Sequence, residues 1–139
     1  MRIVIRALLL ITFVFFFSCE KQGLFVKCSE CTEEEPLKAK LEVKLDINYS
    51  GAVTVINVYE GNLEDNVLYS THTVSGTKTT ISVGLNKKYT VTASYNKADK
   101  YYIAVDSATP RVAYNKDQCD KPCYYVYDNI VDLRLKYTK

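Results

Sequence analysis

The sequence predicts an all-β protein, a single antiparallel sandwich of about seven strands. Three observations carry that expectation. From Leu37 to Tyr49 every odd position is apolar (Leu37, Ala39, Leu41, Val43, Leu45, Ile47, Tyr49) and every even position polar. Side chains of a strand alternate between faces, so this stretch has one buried and one wet face, whereas a helix would scatter its apolar groups. Further runs rich in Val, Ile, Thr and Tyr follow at short intervals, separated by Gly-, Asn- and Asp-containing turn signals. No stretch after position 36 sustains a helical period.

The chain opens with Arg2 and Arg6, followed by the uncharged apolar run Ala7 to Phe17 and then Ser18-Cys19. A basic start, a short greasy core and a small residue before a cut make a secretory signal. Its eleven apolar residues fall short of the roughly twenty that span a bilayer. Phe16-Phe17-Ser18-Cys19 resembles the lipobox of bacterial lipoprotein signals, matching it at Ser18 and Cys19 and departing from the commonest form at the two phenylalanines. The resemblance implies cleavage after residue 18, with Cys19 as the lipidated first residue of a chain anchored in the cell envelope. Three acyl chains, at about 0.8 kcal/mol per buried methylene, hold a protein stably on a membrane. Glu20, in place of an aspartate, implies sorting to the outer membrane.

Two of the 18 basic residues precede Cys19, so 16 remain against 16 acidic ones. A chain with no excess positive charge is a poor partner for nucleic acid. The 121 residues from Cys19 onward suffice for one domain. Residues 19–36 read as a tether without period, and residues 37–139 as the sandwich.

The tether contains Cys28 and Cys31, and Cys119 and Cys123 lie near the other end of the chain. In an oxidising compartment four such cysteines imply two disulfides. Links between the two clusters constrain most; joining Cys28 to Cys123, for example, closes roughly a hundred residues, worth about 4–5 kcal/mol in the chain-entropy model. Export argues against a four-thiolate zinc site. The acidic Thr-Glu-Glu-Glu-Pro after Cys31 argues against a redox-active pair, which needs a positive environment.

Within the domain, Tyr49-Ser50-Gly51-Ala52 predicts a hairpin between the first strand and Ala52–Glu60. Val67–Val74 and Thr77–Val83 read as a second hairpin around Ser75-Gly76. Lys88–Asn96, with Tyr89, Val91, Ala93 and Tyr95 inward, pairs with Tyr101–Asp106. Residues 107–121, containing Pro110, read as irregular. Cys123–Tyr137 reads as the last strand, and its change of apolar parity predicts a bulge near Asp128-Asn129. Leu85, a polar turn and Tyr89 opening a strand resemble the tyrosine corner of fibronectin type III and immunoglobulin-like domains, whose hydroxyl bonds to upstream backbone. The core tryptophan of those families is missing, and a transthyretin-like sandwich is the alternative.

No catalytic set stands out. His72, the single histidine, sits mid-strand among threonines, and the sequence holds no nucleophile elbow, zinc-hydrolase helix or phosphate loop. The reading is therefore non-catalytic and without cofactor. Asp99, Asp106, Asp117, Asp120, Asp128 and Asp132 offer oxygens for calcium but no ligand spacing. Nine of the twelve tyrosines lie beyond residue 88. The pairs Tyr101-Tyr102 and Tyr124-Tyr125 put rings on both faces of their strands, which marks these four as a candidate surface for a protein partner of the envelope, or for a glycan or peptide.

Overall fold

The computed structural model describes residues 26–46, 53–97 and 99–136. The signal segment, Cys19 and the turn at residues 49–52 lie outside the described residues. The first strand, β1 (Lys38–Lys44), carries out the alternation of its sequence. Ala39, Leu41 and Val43 are buried, as is Leu45 just beyond, while Lys38, Lys40 and Glu42 face water. β1 is the middle strand of a three-stranded sheet. It pairs antiparallel with β4 (Lys78–Gly84), Leu41 opposite Ile81, and parallel with β9 (Ile130–Asp132), Val43 opposite Val131.

A four-stranded sheet covers the apolar face of β1. Its order is β3 (Leu68–Val74), β2 (Thr54–Glu60), β5 (Tyr89–Lys97), β6 (Lys100–Ala108), every pair antiparallel. Ile56, Val58, Val91 and Ala93 point inward and form one core with Leu41, Val43, Ile81, Val83, Val131 and Leu133. β5 is little exposed along most of its length, and even Thr90 and Thr92, which it carries on the outer face of the sheet, are buried. The protein is thus an all-β sandwich, with nine strands among the described residues against the seven expected.

Four pairings differ from the sequence reading. β1 and β2 form no hairpin; they lie in opposite sheets, and so do β3 and β4. The reason is coverage: had β2 paired with β1, both apolar faces would belong to one sheet with nothing opposite. Crossing over lets Leu41 and Val43 bury against Ile56 and Val58. At the second crossover the carbonyl of Thr77 accepts from Leu45 N–H at 2.8 Å. Residues 107–121 contain a strand, β7 (Arg111–Asn115), which pairs with β8 (Cys123–Tyr127) in a separate ribbon. The expected bulge is a full break: Asp128 takes φ 52°, and the chain leaves β8 to join β1 as β9. Asn129 fixes that change of sheet, its amide donating to Lys40 O at 2.8 Å and its carbonyl accepting from Glu42 N–H. Immunoglobulin constant-type sandwiches keep their first two strands in one sheet; here these strands are divided between the two.

Two tyrosines tie the ends of the sandwich. Tyr89 is buried and its hydroxyl accepts from Gly84 N–H at 3.0 Å, linking the start of β5 to the end of β4. Burial is the main reason its pKa lies above the ordinary phenol value. Tyr95, also buried, accepts from Asp46 N–H at 3.3 Å and donates to Leu133 O at 3.0 Å, joining β5 to the ends of β1 and β9.

The segment read as a tether is fastened in its described part, residues 26–36. After one 3-10 turn at Cys28–Glu30, disulfides join Cys28 to Cys119 and Cys31 to Cys123, with Cα separations of 5.8 and 4.9 Å. Both links run between the clusters. Thr32 then pairs with Tyr124 through two backbone bonds of 2.9 Å, adding an extra rung beside β8. Replacing Cys28 and Cys119 by serine leaves Cys31–Cys123 closing nearly the same loop, so it releases only the small ring between the two bridges and should lower unfolding free energy by about 2–3 kcal/mol in the chain-entropy model. Denaturant unfolding of the double variant checks this; an unchanged midpoint would contradict it.

The end of β9 carries a local ion cluster. Asp132 receives two bonds from Arg134, at 2.8 and 2.7 Å, and Lys136 lies 3.1 Å away. Arg134 foremost holds the Asp132 carboxyl well below its ordinary 3.8. A depressed folded pKa contributes stability above the unfolded value that is lost as pH falls through it. Asp132→Asn should therefore destabilise slightly at pH 7, since the arginine that pairs with it is solvent-exposed. Its difference from the natural chain should shrink as pH falls below 3.8, which thermal melts at pH 7 and at pH 3 would show.

Candidate functional site

The two outer faces of the sandwich differ in charge. On the three-stranded sheet the outward positions include Lys38, Lys40, Glu42, Lys44, Lys78 and Asp132. On the four-stranded sheet the outward register rows are Ile103–Ser94–Val55–Thr73, Val105–Thr92–Asn57–Thr71 and Ser107–Thr90–Tyr59, with Tyr101 and Asn96 beyond them. None of these residues is charged. Tyr101 is 63% exposed, Ile103 58%, Val53 51%, Val105 50% and Val55 41%. So much large apolar surface on one uncharged sheet face, in a chain with ample charge elsewhere, makes this face the candidate docking surface. The polar groups of the face bond to each other: Tyr101 Oη donates to Ser94 Oγ at 2.8 Å, and Thr71 Oγ1 donates to Asn57 Oδ1 at 2.9 Å.

The four tyrosines singled out in the sequence do not share one surface. Tyr101 belongs to the uncharged face. Tyr102 points the other way, half-buried opposite Tyr95 and packed on the core. Tyr124 and Tyr125 lie on β8, both half-buried; Tyr124 meets the ring of Tyr114 at 4.8 Å and Tyr125 that of Tyr127 at 6.4 Å. The composition signal therefore found one residue of the face. Val53, Val55, Ile103 and Val105 escaped it, although their signal was present: Tyr101 to Val105 is uncharged at both parities, yet the strand lies at a sheet edge.

Other candidate chemistry is spoken for. His72 Nε2 lies 3.0 Å from Ser70 Oγ on the inward side of β3. The aspartates do not converge: Asp106 accepts from Ser107 and Asp132 N–H, Asp128 from Thr109 N–H, and Asp132 is paired as above. Among the described residues, Cys31, Cys119 and Cys123 bring three sulfurs within 4.8 Å, a grouping that could ligate a metal, but each is engaged in a disulfide.

The chain matches no protein-family model, no curated protein and no solved structure.

Alanine at the two adjacent tyrosines separates surface from core. Tyr101→Ala should leave stability within about 0.5 kcal/mol. Tyr102→Ala should cost about 2 kcal/mol or more, because it empties space against the core. Denaturant unfolding of the two variants checks the contrast.

Proposed function

We propose that this protein is a cell-envelope lipoprotein, held at the outer membrane through lipid on Cys19. It serves as a non-catalytic interaction or accessory module that docks an envelope protein on the outer face of β3-β2-β5-β6. The observation that supports the docking reading is the uncharged face itself, with Tyr101, Ile103, Val105, Val53 and Val55 exposed together. A pleated surface of valine, threonine and serine has little relief, which suits a broad protein surface better than an enclosed small ligand. The anchor rests on the greasy run ending at Ser18-Cys19.

A second reading, a glycan- or peptide-binding module, draws on Tyr101. Its exposed ring, its hydroxyl held by Ser94, and the nearby amide of Asn96 give a stacking surface with polar groups at its rim.

A photo-reactive amino acid placed at Val55, near the middle of the face, tests the docking reading in cells of the native source. The expected result is one envelope protein captured reproducibly and lost when Tyr101→Ala and Val53→Lys are added. If no protein is captured while glycan binding is lost with Tyr101→Ala, the second reading holds instead.

A further inference from the structure

The free edge of β6 carries a second kind of information. Lys97 and Lys100 close the β5–β6 hairpin as a register pair with two residues between them, which makes them a hydrogen-bonded pair. Bonded pairs alternate from there, so Tyr102, Ala104 and Asp106 spend their backbone groups on β5. Tyr101, Ile103 and Val105 turn their N–H and C=O away from β5, and no backbone partner takes them up among the described residues. The same three residues have exposed apolar side chains.

The other edges of the two main sheets are protected. β3 is bulged opposite Val58/Tyr59, and its Tyr69 hydroxyl bonds across to Ser82 O of β4 at 3.3 Å. β9 has three residues, and on the free edge of β4 the Tyr89 hydroxyl also accepts from Gly84 N–H, so both Ser82 O and Gly84 N–H are taken up by tyrosines. β6 has nine residues, no proline, no bulge and no charge between Lys100 and Asp106. Natural sheets seldom leave such an edge unless another strand is to be added to it.

We infer that the added strand is β6 of a second copy of this chain, paired antiparallel about a two-fold axis at Ile103. Three features of the strand select this occupant and this register. The outward backbone groups of Tyr101, Ile103 and Val105 meet those of Val105, Ile103 and Tyr101 in the other copy, giving about six inter-chain hydrogen bonds. Tyr101 then lies opposite Val105, an aromatic and β-branched pair on the uncharged face. Lys100 and Asp106, the two charged residues of the strand, lie opposite each other across the interface. Moving the axis to Tyr101 or Val105 loses that charge match. Asp106 already accepts from the N–H groups of Ser107 and Asp132, which orients its carboxylate. The two four-stranded sheets become one continuous sheet, and their uncharged faces join into a single larger surface.

This inference does not rest on the docking reading, because it concerns the purified chain with no partner present. The experiment uses the full chain in mild detergent. Ile103→Cys puts two thiols at the two-fold axis, where bonded antiparallel Cα atoms lie about 5.5 Å apart, within disulfide reach. Air oxidation should give a covalent dimer on a non-reducing gel. Thr73→Cys, exposed at the far side of the same face, should not. Adding Lys100→Asp to Ile103→Cys should reduce the dimer several-fold, since it sets like charges opposite each other. Sedimentation of the unsubstituted chain, which needs no variant to fold, should show dimers that dissociate on dilution. Monomers at every concentration, or equal cross-linking from positions 73 and 103, would overturn the proposal.

Discussion

Three side chains on one face of β1, Ala39, Leu41 and Val43, and Leu45 just beyond it, are removed from water by a sheet to which β1 does not belong. Each large one gains about 1.5–3 kcal/mol by burial, and none could be covered by strands hydrogen-bonded beside it. This need for an opposing layer governs the chain path. It sends the polypeptide across the sandwich after β1, back after β3 and across again before β5. Tyr95 and Tyr89 then close the ends, each answering backbone groups of the opposite sheet with one hydroxyl.

The disulfide clasp acts on a different part of the chain. β7 and β8 form a ribbon with no ladder to either main sheet, and a two-stranded ribbon alone is marginal in water. Cys31–Cys123 and Cys28–Cys119 join it to the N-terminal segment, and Thr32 continues the pairing beyond Tyr124. Residues 26–36 are thus fixed to the domain just before β1 begins.

Much of the fold was legible in local pattern, because alternation states which side of a strand is buried. It marked β1, β5 and their inward residues, and the cysteine clusters pointed to links between the ends of the chain. Alternation does not say which strand lies alongside. Hence β1–β2 and β3–β4 read as hairpins, and the parallel β1–β9 pair was invisible. β7 was hidden by Pro110, which sits buried just before the strand and accepts from Asn86 N–H, so it positions the strand instead of breaking it. For the candidate site, counting tyrosines was a poor guide because adjacent residues on a strand face opposite ways. Lack of charge along Tyr101–Val105 was the better signal, and only the sheet order showed that this strand is an edge.

The sandwich leaves one uncharged face exposed and, under the pairing inferred above, offers its β6 edge to another chain. Residue-resolved amide hydrogen exchange of the purified protein over a range of concentrations tests that pairing most directly. In dilute solution the amides of Tyr101, Ile103 and Val105 should exchange fast and those of Tyr102 and Ala104 slowly, since only the latter are bonded to β5. As concentration rises, the three fast amides should become protected together. Fast exchange at all five positions would contradict the strand register, and fast exchange of the three at every concentration would contradict the open edge as a pairing site.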